Sequence, residues 1–383
     1  MSDEPVTVIN RQDFGALRDA NEVKSRWALA LDPSQNLYAM YLAPEWLEAS
    51  HEQAGASCSV LCAGVDGENL EVLAAIRPAQ ARLRFELSTA LQKAIRLQSV
   101  EILGSQILGE MSPDHLAAVV SAVWKEFPSA SAIYFKSVQK GSPLWEALEK
   151  GDWRVGSSIA YRQHGDRPFH SVQLPGTFEE YVAQFPSKQR YNLKKKVRKM
   201  ADATGGKLEV RQANNPEDIP FLVASARAVA AKSWKAKRLA NPVPDSIENE
   251  AQLRRIAERG MLRAFVLQAD GVPCAFIVGY LYRGVFHYAD LAYDETQAVH
   301  SPGTILLYLI LEMLIEKDHA QFVNFGITDA QYKQVFGNRH TEEAEILLMR
   351  PGVGNRTLIA CHRLFQRAKL ALRSKLSRRK VDE

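Results

Sequence analysis

Ser301-Pro302-Gly303-Thr304, the apolar run from Ile305 to Ile315, then Phe322-Val323-Asn324-Phe325-Gly326 and Asp329-Ala330-Gln331-Tyr332-Lys333-Gln334-Val335-Phe336 decide the fold. The order reads as a loop opening a buried helix, then a strand, then a short helix that carries a tyrosine and a lysine. A helix start leaves amide N–H groups without intrahelical partners, and together with the helix dipole these favour an anion such as a diphosphate. A phenol on the following short helix could exchange a proton. The combination points to group transfer from a phosphate-bearing donor.

Upstream of this stretch, Leu262 to Ala269, Pro273 to Tyr282 and Val285 to Tyr293 read as a meander of three strands, with Asp270-Gly271 and Arg283-Gly284 as the turns. Downstream, Glu343 to Met349 reads as one more strand. The first half shows the same order. Ser57 to Gly64 and Leu70 to Arg77 resemble a hairpin around Asp66-Gly67, Arg82 to Leu87 adds a third strand, and Val100 to Leu103 is short and apolar. Ser112-Pro113 opens a helix running to about Phe127, Ala132 to Val138 is a strand, Ser142-Pro143 caps a short helix, and Trp153 to Ser158 is a strand. Ser112 precedes Ser301 by 189 residues, Phe135 precedes Phe325 by 190 and Ser142 precedes Asp329 by 187. So constant an offset predicts a duplicated domain. Trp145-Glu146 stands where the second copy has Tyr332-Lys333, so only the C-terminal copy is expected to work.

Between the copies lies a segment, 177–260, expected to be helical. Thr177-Phe178-Glu179-Glu180 is a capping box. From Ser187 to Met200, Leu193, Val197 and Met200 form an apolar stripe beneath a run of lysines and arginines that no acid interrupts. Residues 355–380 form a basic amphipathic segment, with Leu358, Cys361, Phe365, Ala368, Leu372 and Leu376 at helical spacing, able to dock on the body or lie on an acidic membrane surface. The expected division is a non-catalytic domain over 1–170, a catalytic domain over 171–353 and a C-terminal helix over 354–383.

Length supports that count, since 383 residues exceed one ordinary core. The hydrophobic content of 46% is spread along the chain, and no segment reaches the roughly 18 apolar residues of a membrane span. The acidic start, Met1-Ser2-Asp3-Glu4, is unlike a signal peptide, so a cytoplasmic location is expected. Four scattered cysteines fit neither a disulfide framework nor a zinc site, and no metal is expected.

A basic helix with Ser187, Arg190 and Tyr191, the later Ser233-Trp234-Lys235, the Ser301-Pro302-Gly303 helix start and Phe325-Gly326 followed by Asp329, Tyr332, Lys333 and Phe336 resemble the GNAT-superfamily acyltransferases of the cellulose- and polysaccharide-associated type. These are related in fold to the FemAB aminoacyl transferases, which also use two tandem GNAT-like domains. The resemblance implies a mixed α/β fold of two such domains, each a central mixed sheet flanked by helices. It also implies acyl transfer from acetyl-CoA or another acyl-CoA to an amine or hydroxyl of a small molecule or glycan precursor. The loop departs from the family pattern in carrying His300 and Pro302 where glycines are usual, and Asn324-Phe325 stands for the usual Asp-Phe.

On that reading Ser301, Pro302, Gly303 and Thr304 hold the donor's diphosphate, and strand amides near Leu291 and Ala292 polarise the thioester carbonyl. Tyr332 protonates the leaving sulfur, or is a core aromatic. Asp329 is a base, a helix N-cap, or both. Lys333 pairs with a substrate carboxylate or the donor's phosphates, or is merely solvated. Trp234 and Lys235 wall and charge the acceptor pocket, or Trp234 is core. His287 and Asp290, three apart on a strand, are expected to face opposite sides of the sheet, so that at most one enters a given cleft. Asp294 is a further base candidate. The basic helix is a solvated face, a phosphate clamp or a tRNA contact, the last required if the donor is an aminoacyl-tRNA. A non-enzymatic reading is a degenerate GNAT-fold binding protein recruited by its basic tail.

Overall fold

The computed structural model describes residues 10–13, 27, 31, 36–51, 58–63, 72–87, 91–109, 113–150, 158–237, 242–327 and 330–379. The Asp66-Gly67 turn, most of the strand expected from Trp153 to Ser158, and Asp329 lie outside them.

In chain order the first half comprises β1 (Asn10–Asp13), α1 (Pro44–His51), β2 (Ser59–Ala63), β3 (Val72–Glu86), β4 (Gln92–Ile102), β5 (Leu108–Gly109), α2 (Pro113–Glu126), β6 (Ala132–Gln139) and α3 (Pro143–Lys150). Then come β7 (Ile159–Arg162), β8 (Arg167–Gln173), α4 (Phe178–Ala183), α5 (Ser187–Ala203), β9 (Leu208–Gln212), α6 (Ile219–Ala231), α7 (Asp245–Glu248) and α8 (Glu250–Glu258). The second half continues with β10 (Leu262–Ala269), β11 (Val272–Tyr282), β12 (Val285–Tyr293), α9 (Pro302–Glu316), β13 (Phe322–Ile327), α10 (Gln331–Phe336), β14 (Arg339–Met349) and α11 (Val353–Arg379).

All the described strands join one mixed sheet, in the order β1-β2-β3-β4-β6-β14-β8-β13-β12-β11-β10-β9, with β5 on β3 and β7 on β14. The anticipated repeat is visible in it. Strands β2, β3 and β4 form an antiparallel meander, α2 crosses over, and β6 pairs parallel to β4. Strands β10, β11 and β12 do the same, α9 crosses over, and β13 pairs parallel to β12. The hairpins of the second meander turn on Asp270-Gly271 and Arg283-Gly284, whose φ values of 50°, 77°, 44° and 79° give two left-handed residues per turn, the twist antiparallel strands prefer.

The halves exchange their last strands. Strand β8, which follows the first half, pairs antiparallel with β13 of the second. Strand β14, which follows the second, pairs with β6 of the first. The expected boundary at 170/171 therefore falls inside a strand shared by both.

Several local expectations are corrected. Arg82 to Leu87 is not a separate strand: β3 runs 15 residues and pairs with β4 from Ile76↔Ile102 to Glu86↔Gln92. Pro78 is tolerated there because β2 stops pairing at Ile76, so that no strand among the described residues pairs with that edge of β3 at Pro78. Segment 177–260 is not wholly helical, since Leu208–Gln212 alternates half-buried and exposed residues and forms the edge strand on β10. The capping box at Thr177 and Glu180 is present as expected.

Core lies on both faces. Helix α9 is apolar nearly all round and is sandwiched between β10–β12 and helices α4 and α5; Leu306, Ile310, Leu311 and Leu314 are wholly buried. Each such side chain contributes roughly 2 kcal/mol. On the opposite face α1, α6 and α8 pack around Trp46, Leu222 and Ile256. Helix α11 docks on the body through Ile359, His362 and Phe365, with His362 wholly buried against Phe85 and Tyr161. Cys361, expected on the apolar face, is exposed, because the buried stripe runs one notch round the helix. No helix among the described residues is long and apolar enough to cross a membrane.

Candidate functional site

Strands β12 and β13 pair over only three residues, Val285↔Phe322, Phe286↔Val323 and His287↔Asn324. Beyond that point β12 stays with β11 and β13 with β8, so the two part and leave an opening in the sheet. A β-bulge drives them apart. Tyr288 stands opposite Gly279 and Asp290 opposite Val278, which leaves Ala289 as an extra residue and increases the local bend. Gly279 is required here, since a Cβ would meet the Phe286 ring at 2.3 Å.

The bulge also overturns the expectation that His287 and Asp290 face opposite sides. One inserted residue shifts the alternation, so both lie on the face covered by residues 36–42 and α7. His287 makes an edge contact with Tyr41 at 5.4 Å, and Asp290 Oδ2 accepts a hydrogen bond from Ser246 Oγ at 2.5 Å. Burial, and then the Asp290 charge, raise the Tyr41 phenol to about 12. Burial holds the His287 imidazole down to about 3, and its Nδ1 has no hydrogen-bond partner among the described residues. The neighbouring Asn324 is tied down, donating to Leu37 O at 3.0 Å and accepting from Gly326 N at 2.8 Å.

On the other face a cluster of rings lines the opening. Tyr288 lies 5.6 Å from Phe325 and 5.9 Å from Tyr332, and Phe325 meets Tyr332 edge-on at 6.1 Å. The Tyr288 hydroxyl is buried outside hydrogen-bond geometry with any described group. Burial raises the Tyr332 phenol above its ordinary value, partly offset by the Tyr288 hydroxyl beside it, so Tyr332 stays protonated at neutral pH. Tyr332 is held by α10, whose end is fixed when Tyr181 Oη donates to Phe336 O at 2.8 Å and Gln189 Nε2 to Val335 O at 3.2 Å.

Backbone donors at the opening are fewer than the sequence suggested. The Asp294 N–H bonds Cys274 O on β11, so alternation turns the Ala292 amide to β11 as well and leaves those of Leu291 and Tyr293 on the open side. At the start of α9, Ser301 is left-handed (φ 58°, ψ 53°) and caps nothing with its side chain. Its N–H bonds Ala298 O, while Thr304 and Ile305 donate to Ser301 O. Pro302 has no N–H to offer, so within this turn Gly303 alone keeps an amide without a backbone partner among the described residues. Glycine fits because a Cβ there would lie 3.3 Å from the Tyr293 ring and 3.6 Å from Leu291.

Other expected site residues are placed differently. Lys333 is buried, with Nζ donating to Phe325 O at 2.6 Å and burial lowering it to about 8; it is not a solvated cation awaiting a substrate. Asp294 is a cap rather than a base: its Oδ1 accepts from Thr296 N and Oγ1 at 2.9 and 2.7 Å, and Lys232 lies 3.4 Å away. Burial pushes its carboxyl up, but these partners outweigh burial and hold it below its usual range. Trp234 is 43% exposed rather than core, on a turn beside Asp294, where Glu295 N bonds Lys232 O. The Lys235 side chain lies outside the described residues. On α5, Leu193 and Met200 are buried as expected; Arg190 bonds Ser187 Oγ at 3.0 Å, and Lys195 lies 5.5 Å from the exposed Tyr191 ring. The helix touches α9 and the turn 295–300 that leads into it, so its cations flank the opening's entrance. Sequence reasoning missed Tyr288, Tyr41 and Ser246. Tyr288 could have been found from the alternation of Val285-Phe286-His287-Tyr288 once the bulge was known.

Residues 187–334 match the family model described as an acetyltransferase (GNAT) domain. Among curated proteins none matches significantly. Solved structures of similar fold include FemX, at 11% identity over 80% of this chain and 90% of that one with a TM-score of 0.54. The C-terminal domain of a putative lysylphosphatidylglycerol synthetase from Agrobacterium fabrum aligns at 12% identity over 90% and 96% of the two chains, with a TM-score of 0.51. A tandem GNAT protein from the clavulanic acid biosynthesis pathway aligns at 11% identity over 89% and 97%, with a TM-score of 0.50. These likenesses establish the fold: a large mixed sheet flanked by helices, in two GNAT-like halves.

Proposed function

We propose that the C-terminal half transfers an acyl group from acetyl-CoA or another acyl-CoA to an amine or hydroxyl of a small molecule or glycan precursor. The observation that carries this reading is the opening between β12 and β13, with the start of α9 at its mouth and Tyr332 on its wall. The diphosphate sits against the Gly303 amide and the flanking α5 cations, and the thioester reaches between the strands. The acceptor attacks the thioester carbonyl from the face of Asp290, which takes its proton, while the Leu291 amide donates to the carbonyl oxygen as charge builds there. The acyl carbon bonds to the acceptor and the carbon–sulfur bond breaks. Tyr332 gives its proton to the departing sulfur and is reprotonated from solvent. Titration calorimetry with acetyl-CoA and longer acyl-CoAs should give heats of binding, and silence across the series would refute the donor assignment.

A second donor, aminoacyl-tRNA, is favoured by one feature: the acid-free cationic face of α5 from Lys188 to Lys199. It predicts tRNA binding that weakens steeply with salt. The division into a non-catalytic N-terminal half and a catalytic C-terminal half is part of the same proposal.

A further inference from the structure

The N-terminal half repeats the parting of strands. Strands β4 and β6 pair in parallel over Ser99↔Ala132, Val100↔Ile133 and Glu101↔Tyr134, again only three positions, and then separate. Where they part lies a cavity of about 320 Å³, lined from residues 36–38, 105–107, the end of β6, the start of α3, and β8 and β14. Its floor is polar. Glu343, 2% exposed, accepts hydrogen bonds on Oε2 from Ser137 Oγ and from Tyr38 Oη, the latter at 3.1 Å. Its Oε1 has no hydrogen-bond partner among the described residues, and no described cation pairs with it. Arg339, Thr341 and Glu343 alternate along β14 and all three line the cavity, the Arg339 guanidinium lying 5.7 Å from the centre of the Phe322 ring. Arg339 stands at the exposed end, four residues and about 13 Å of strand from Glu343.

We infer that this cavity is a second ligand site, for a small molecule carrying a primary ammonium at one end and a carboxylate at the other, in the manner of an ω-amino acid or a short peptide. The ammonium pairs with Glu343 and the carboxylate with Arg339. A deeply buried carboxylate without a cation is costly, and the free protein answers by holding a proton: burial raises the Glu343 carboxyl to about 7, even though the Ser137 and Tyr38 hydroxyls favour the charged form. The other titratable groups lining the cavity are Tyr38, whose phenol burial raises further, and Arg339. An entering ammonium supplies the missing charge, so binding at pH 7 drives off the proton that Glu343 holds in about half of the molecules. The site does not depend on the donor chemistry of the C-terminal half.

Calorimetry with 6-aminohexanoate, glycylglycine, hexylamine and hexanoate, each in two buffers of different ionisation enthalpy, tests it. 6-Aminohexanoate and glycylglycine should bind with proton release, hexylamine more weakly, and hexanoate not at all. Glu343→Gln should weaken amine binding about 30-fold or more, as expected when one partner of a buried charge pair is removed, and Arg339→Met should weaken the two zwitterions but not hexylamine. Should Glu343→Gln fail to fold, amide resonances of the unmodified protein decide: Ser137, Val138 and Gln139 must shift on adding 6-aminohexanoate. Absence of binding, binding without proton release, or shifts confined to the C-terminal half would overturn the inference.

Discussion

Replacing His287 with glutamine should flatten the acid limb of the protein's stability curve. His287 is 3% exposed, and burial alone takes its imidazole from 6.5 to about 3. Below pH 6.5 the unfolded chain therefore binds a proton that the native protein refuses. Its contribution is fully present above pH 6.5 and is lost as pH falls from there toward 3, at about 1.4 kcal/mol per pH unit. Between pH 7.5 and 5.0 the unmodified protein should thus lose about 2 kcal/mol through this residue, a loss the variant is spared. Other buried histidines, His170 and His362, are present in both proteins and cancel in the difference. Urea unfolding of both proteins at the two pH values measures it. Equal losses, to within about 0.5 kcal/mol, would mean that the imidazole is hydrated or paired and that the packing against Tyr41 is wrong.

Tyr332→Phe should slow acyl transfer by about 100-fold or more while leaving acyl-CoA affinity unchanged, read from rates and calorimetry; an unaltered rate would remove the phenol from the chemistry. Gly279→Val should destabilise the chain by roughly 3 kcal/mol or prevent folding, because its Cβ would fall 2.3 Å from Phe286; a normal melting temperature would contradict the bulge. Changing Lys194, Lys195 and Lys196 together to alanine should abolish any salt-sensitive tRNA binding, and tRNA that fails to bind at low salt would dispose of that donor. Leu364 and Leu370 are 69% and 66% exposed on α11 beside Arg363, Arg367 and Lys369, so we propose that this helix contacts acidic membranes. Changing Leu364 and Leu370 together to aspartate should reduce co-sedimentation with anionic vesicles, and an unchanged pellet would refute it.

Much of the fold was legible because its determinants are local. Alternation with Asp270-Gly271 and Arg283-Gly284 marked the second meander, serine before proline marked three helix starts, and the near-constant offset between matching landmarks of the two halves pointed to two copies. The 15-residue β3 was misread as two strands because Pro78 imitates a break. Edge strand β9 was passed over because a short run of alternating Leu208, Val210 and charged residues carries a weak signal inside a helical region.

The candidate site was less legible, since its character depends on contacts between distant parts of the chain. Tyr332 and the Ser301 turn stand out in the sequence by type and spacing, and both lie at the opening between β12 and β13. Lys333 was expected to meet a substrate carboxylate, the donor's phosphates or solvent, but a side chain's burial depends on what packs over it, and here its ammonium bonds Phe325 O. His287 and Asp290 were assigned opposite faces by strict alternation, and only the pairing of β12 with β11 reveals the extra residue that turns them the same way.

The amino-acid sequence by itself determined the elements, their order and their repetition, since propensity, periodicity and turn chemistry act over a few residues. Tertiary structure alone decided that β8 and β14 are exchanged between the halves, that paired strands part after three residues in each half, and that Glu343 meets Ser137 and Tyr38 in a cavity. These depend on which edges meet and in what register, a choice made together by residues that are distant in the chain.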